Sequence, residues 1–180
     1  MNVVRKLFFG LIVLILLMGV VGVFLPSTAQ VERSTTIAAP VDVVYAVVSD
    51  FDHFNRWSPW YTLDPDAEHI ITGTAGTVGS RYEWRSEKPE IGSGSQTITA
   101  LERPHSVVMR LDFDGETPAE SFFKLKASGT STEVIWGFET DLGSNPYMHY
   151  MSLLMDVFLG PAYEDGISRL KTYVETEVSS

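Results

Sequence analysis

Cysteine is absent from all 180 residues. Disulfides, thiol nucleophiles and thiolate-bound metals are therefore excluded. Positive charge is scarce as well: 13 lysines and arginines stand against 23 aspartates and glutamates, a formal net charge of −10. Binding to nucleic acid draws on clustered basic side chains that release counterions from phosphates, and this chain has neither the sign nor the clusters. The four histidines, His53, His69, His105 and His149, fall at no ligand spacing, so no metal site and no cofactor are expected. Missing too are a glycine-rich phosphate loop, a G-x-S-x-G elbow, internal repeats and low-complexity tracts.

What the chain does hold is an uncharged run of 19 residues, Leu7 to Leu25, directly after Arg5 and Lys6. As a helix rising about 1.5 Å per residue it covers roughly 28 Å, close to the hydrocarbon thickness of a bilayer. With the basic pair on one side and Glu32 as the first charge on the other, the N-terminus is expected in the cytoplasm. The expectation is a single span of the inner (cytoplasmic) membrane with an extracytoplasmic domain. Ser27-Thr28-Ala29 leave a cleaved secretory signal as the alternative, but the run exceeds the usual apolar region of about 7 to 15 residues in such signals. Gly10, Gly19 and Gly22 lack small-xxx-small spacing, so no helix dimer is expected. Residues 1–28 thus read as an anchor and 29–180 as one domain of ordinary size. Beyond residue 25 the balance is 11 positive to 23 negative side chains. That acidity disfavours anionic head groups and leaves membrane contact to the N-terminal helix.

The domain opens with alternating polar and β-branched residues from Val31 to Ile37, a first strand. Pro40 and Asp42 suit the first turn of a helix that runs to Ser49, and FDHFNRW adds a second short helix ending at Ser58-Pro59. The middle switches to period 2, with strands expected at Ala67–Thr72, Gly79–Arg85, Ser95–Glu102, Ser106–Phe113, Glu120–Ala127 and Thr132–Thr140. Alternation puts Tyr82 and Trp84, Val107, Met109, Leu111 and Phe113, Phe123 and Leu125, and Val134, Trp136 and Phe138 on one face, the charged residues on the other. From Tyr147 to about Thr176 apolar residues recur at steps of three and four, a long covering helix expected to kink at Gly160-Pro161.

This order resembles the helix-grip fold of the START-like superfamily, which includes polyketide cyclases, Bet v 1-like allergens and lipid-transfer proteins. The resemblance rests on VERSTTIAAPVDVVYAVVSDFDHFNRWSPW, on EVIWGFETDL and on MDVFLGPAYEDGISRLKTYVE. It is greatest to membrane-anchored bacterial proteins described as polyketide cyclase/dehydrase and lipid transport proteins. It implies an α+β domain in which a seven-stranded curved antiparallel sheet wraps a long C-terminal helix, with two short helices between strands 1 and 2. It also implies a cavity between sheet and helix that holds a hydrophobic small molecule, such as a lipid, isoprenoid or polyketide-like compound.

The residues facing that space are expected to be Trp60, Tyr82, Trp84, Met109, Leu111, Phe123, Trp136 and Phe138, with Met151, Met155 and Phe158 from the helix. Each taken singly reads equally as core. The methionines of the helix, flexible beside aromatics, are suited to repacking around different guests. Trp57 reads as a core plug and Trp60 with Tyr61 as the rim of an entrance. Asp64-Pro65-Asp66 and Asp112-Phe113-Asp114 look like paired carboxylates, but turns attract Asp and Pro for their own reasons. Two rivals to a binding protein stay open. One is a cyclase or dehydratase that uses Tyr82 as acid or base; the other is a partner-binding module with a solid core.

Overall fold

In the computed structural model, residues 2–89, 91–113 and 117–178 are described. Asp114 lies outside them. The chain begins with helix α1 (Asn2–Gly22), whose stretch Val3–Gly22 is long and apolar enough to cross a membrane and is buried only at Gly22, where the domain meets it. Then follow β1 (Thr28–Ile37), α2 (Val41–Val48), a 3₁₀ turn (Phe51–His53), α3 (Phe54–Trp57) and α4 (Pro59–Leu63). Six strands come next: β2 (Glu68–Thr72), β3 (Arg81–Arg85), β4 (Ser93–Glu102), β5 (Ser106–Phe113), β6 (Ala119–Ser128) and β7 (Ser131–Asp141). A 3₁₀ turn (Met148–Tyr150), α5 (Met151–Tyr173) and a π-helical turn (Val174–Val178) close the chain.

The strands form one antiparallel seven-stranded sheet in the order β1-β7-β6-β5-β4-β3-β2, the α+β helix-grip architecture. Period-2 patterning decides its faces. Val107, Met109 and Leu111 of β5, Phe123 and Leu125 of β6, and Val134, Trp136 and Phe138 of β7 are buried on the side that α5 covers. Between Ile98 and Ala100 the β4–β5 register shifts, a bulge of the kind that bends a sheet.

The sequence predicts two short helices before β2, and the structure has α2 followed by a broken second segment. Pro59, instead of ending that segment, takes the first position of α4, where its missing N–H costs nothing. Asp50 accepts from the Asp52 N–H and starts the turn before α3. The other difference is in α5, which runs unbroken through Pro161 where a division is predicted. Pro161 and Val157, whose carbonyl loses its i+4 donor, both lie on the exposed side.

Two contacts set how closely α5 meets the sheet. A Cβ at Gly166 would stand 2.5 Å from the Trp136 ring and 3.0 Å from Pro59. Near the far end Glu175 accepts from the Ala38 N–H at 2.7 Å and pairs with Lys171 at 3.0 Å, bonds that hold its carboxyl below the usual range. The domain is seated on α1 through Tyr147, whose hydroxyl donates to the Ile15 carbonyl at 3.0 Å, and Tyr150, which donates to Met18 at 2.9 Å. Both ring nitrogens of His149 stand 2.9 Å from carbonyl oxygens, of Gly143 and of Gly22, which only the doubly protonated ring satisfies, and these bonds raise its pKa.

Gly166→Ala tests the close approach. Alanine favours a helix by about 1 kcal/mol over glycine, whereas overpacking a filled site costs about 1–3 kcal/mol. We expect a net loss of about 1 kcal/mol in denaturant unfolding of the full chain. A gain in stability would show that the helix stands free of Trp136.

Candidate functional site

Between sheet, α5 and the α2–α4 segment lies a cavity of about 230 Å³. Its floor is the inner face of the sheet: Tyr82 and Trp84 from β3, Gln96 from β4, Met109, Leu111 and Phe113 from β5, Ser121 and Phe123 from β6, Trp136 and Phe138 from β7. Phe54, Trp57, Ser58, Trp60 and Tyr61 close one side, Leu159 and Tyr163 of α5 another, and Asp64 and His69 stand beside β2. All four tryptophans of the chain therefore face it.

The rings are ordered around Trp136. Tyr163 stacks on it with centroids 4.1 Å apart, Phe123 stacks at 5.6 Å, and Trp57 and Trp60 meet it edge-on at 5.3 and 5.8 Å. The Trp136 Nε1–H donates to the Ser121 hydroxyl at 3.2 Å. Burial pushes the Tyr163 phenol well above the ordinary tyrosine range, against the opposing pull of Ser121.

At the β2–β3 end the lining turns polar. The Tyr82 hydroxyl donates to Asn55 Oδ1 at 2.6 Å and stands 2.6 Å from His69 Nδ1. With its one proton committed to Asn55, Tyr82 accepts from Nδ1–H, so His69 Nε2 carries the lone pair. Burial raises the Tyr82 pKa out of the physiological range and lowers that of His69, which keeps the pair neutral. Asp64 accepts from the Ser86 hydroxyl and pairs with Lys88 at 3.2 Å; the Ser86 bond chiefly, with Lys88, holds it ionised below the usual carboxylate range. Four lining residues keep a buried polar atom without a protein partner: Trp57 Nε1, Ser58 Oγ, His69 Nε2 and Gln96 Nε2. Among the described residues no group of His, Asp and Glu is placed to hold a metal.

Of the residues singled out from the sequence, Trp60, Tyr82, Trp84, Met109, Leu111, Phe123, Trp136 and Phe138 line this cavity, and Met151, Met155 and Phe158 do not. Met155 packs half-buried against the edge of the core, Met151 is half-buried, and Phe158 is 63 % exposed. Leu159, Tyr163, Gly166, Ile167 and Leu170 share the sheet-facing side of α5, Met155 lies about 40° from Leu159 on the same side one turn earlier, and Phe158 lies about 100° away from Leu159. Trp57, read as a plug, also touches the cavity. Sequence reasoning passed over Tyr163, whose i+4 spacing from Leu159 was the available signal. His69 and Gln96 gave no signal at all, because single polar residues carry no periodicity.

A curved antiparallel sheet gripping a C-terminal helix over an aromatic cavity defines the helix-grip class. Residues 28–175 match the family described as polyketide cyclase / dehydrase and lipid transport, and the chain belongs to it. No curated protein matches in sequence. Among solved structures it is similar to CalU16 from Micromonospora echinospora, with 18 % identity, TM-score 0.55, and 82 % of this chain and 66 % of that one covered. It is similar also to SA2116 of Staphylococcus aureus, a protein of unknown function, with 12 % identity, TM-score 0.64, and 85 % and 97 % covered. A third is norcoclaurine synthase from Thalictrum flavum, solved with dopamine and hydroxybenzaldehyde, with 16 % identity, TM-score 0.60, and 85 % and 90 % covered. These likenesses concern the fold.

The ring cluster predicts an order of stability. Trp136→Phe removes a buried hydrogen bond and ring volume at its centre and should cost about 2 kcal/mol in denaturant unfolding. Trp60→Phe, at the half-buried edge, should cost less than about 1 kcal/mol. The reverse order would place the hub elsewhere.

Proposed function

We propose that this protein binds a hydrophobic small molecule carrying one hydrogen-bonding group, in the cavity between sheet and α5, at the surface of the membrane that α1 spans. In this reading residues 1–28 anchor the chain, and 29–180, outside the cytoplasm, form the binding domain. The carrying observation is the cavity, walled by aromatic rings and lined by four residues that each keep a buried polar atom unpartnered. A dry apolar cavity of about 150 Å³ suffices to bind benzene, so about 230 Å³ leaves room for a fused two-ring or short aliphatic body. Burying about 300 Å² of apolar ligand surface contributes roughly 7 kcal/mol before association costs, enough for micromolar binding without a charged contact.

The unpartnered atoms specify the polar end. Gln96 Nε2 is a donor and His69 Nε2 an acceptor, and both residues adjoin Tyr82, Gln96 through the strand register and His69 through its ring nitrogen, so one hydroxyl group suits the pair in both directions. The second reading, an enzyme, is favoured by the same His69 Nε2, an unpartnered neutral base on a residue that lines the cavity. Turnover of a bound compound would decide for it. Tyr82 fits an acid–base role poorly, because its proton is held by Asn55 and its pKa is raised.

An unsatisfied buried amide costs about 1–3 kcal/mol, and its replacement by an apolar isostere recovers part of that. Gln96→Leu should therefore raise the melting temperature of the ligand-free full chain and weaken binding of 2-naphthol about tenfold, the loss of one buried hydrogen bond. Naphthalene, which lacks the hydroxyl, should bind both forms alike. Quenching of the four cavity tryptophans reads both probes. If neither probe quenches at saturation, the binding reading falls. Equal 2-naphthol affinity in both proteins would leave an apolar cavity and remove the polar end.

A further inference from the structure

The side of α5 that faces away from the sheet changes character along its length. At 100° per residue, Leu153, Leu154, Val157 and Phe158 share that side in the early turns, and Glu164, Asp165, Ser168 and Thr172 continue it. The four apolar residues are 44–68 % exposed. Among the described residues beyond Phe24, six of the nine exposed large apolar side chains lie between Tyr147 and Phe158, so this is a patch and not ordinary scatter.

The Tyr147 end of the patch touches α1. Tyr147 and Tyr150 reach carbonyls at Ile15 and Met18, and the approach is possible because Gly19 and Gly22 carry no side chain. A Cβ at Gly19 would meet the Tyr147 hydroxyl at 2.9 Å, and one at Gly22 would collide with the Pro146 carbonyl. Ile15 lies seven residues inside the Gly22 end of α1, about 10 Å along its axis. Whatever surrounds that end of α1 also surrounds the segment that touches it.

We propose that the outward side of the early turns of α5, with Tyr147 and Met148, is seated in the bilayer leaflet beside the domain as an interfacial amphipathic helix. The inference rests on the reading of α1 as a membrane span. The occupant is lipid because the patch is continuous with the span and carries tyrosines at the depth where aromatic belts lie. Its attraction is apolar, since the domain is acidic and zwitterionic lipid suffices. Phe158 faces the lipid while Leu159, the next residue, lines the cavity, so ligand and bilayer are separated by about 10 Å, the thickness of one helix.

A chain without cysteine takes a single label cleanly. Val157→Cys and, as a second position, Leu153→Cys carry an environment-sensitive nitrobenzoxadiazole dye in full-length protein reconstituted into phosphatidylcholine vesicles. Thr130→Cys is the control: it sits in the β6–β7 turn, about 30 Å from the α1 end of the sheet as counted along β1 and β7. The expected result is blue-shifted emission, quenched by spin-labelled lipid, at 157 and 153 and neither at 130. Water-like emission at 157 and 153 in protein that floats with the vesicles overturns the docked helix and leaves the anchor standing. Blue-shifted emission without quenching by lipid gives the patch to a second copy of the chain and overturns the proposal. Protein that does not float overturns the anchor and the docking together, and tryptophan quenching by 2-naphthol still reports separately on the cavity.

Discussion

The stacking of Tyr163 on Trp136 fixes the distance between helix and sheet on which everything else depends. Centroids 4.1 Å apart leave no space between the two rings, and Gly166, one turn further along α5, lets the backbone come that near. Phe123, Trp57 and Trp60 then complete the cluster from β6, α3 and α4. A helix held so tightly at one point and tied again by Glu175 to Ala38 cannot follow the whole curve of a bent sheet. The cavity is the space that remains between Trp136 and the β2–β3 end.

That origin explains its composition. The walls are rings because rings make the clamp, and their offset and edge-on contacts leave π faces turned toward the space. The polar end is where the clamp does not reach and where β2 and β3 contribute His69 and Tyr82. Keeping His69 Nε2 and Gln96 Nε2 unpartnered there lowers the stability of the empty protein. A site selected only for folding would have replaced Gln96 with an apolar residue.

The sheet is legible in the sequence because period 2 is a strong signal when one face is buried: β5 is predicted at its full extent, and the apolar inner-face residues Tyr82, Trp84, Phe123, Leu125, Val134, Trp136 and Phe138 are all predicted, whereas the small polar Ser121 and Thr132 of the same face are not. Patterning gives the inside of an element but not its surroundings. Met151, Met155 and Phe158 look like one helix face, yet Met155 keeps to the core side, in phase with Leu159 and Tyr163, while Phe158 turns to the outward side. At Pro161 the helix continues unbroken, because the carbonyl left without a donor lies on the exposed side. The polar end of the cavity was illegible, because His69, Gln96 and Asn55 meet only through the pairing of β2, β3 and β4 and the fold of α3 across them.

Native mass spectrometry of the full-length chain extracted from its own membrane tests the central claim most directly. The account predicts a species heavier by one small apolar molecule, and its loss in the double variant Met109→Trp/Leu111→Trp, whose added ring volume takes up much of the cavity. A spectrum with only the unliganded mass, or with the same added mass in wild type and the filled variant, would contradict it.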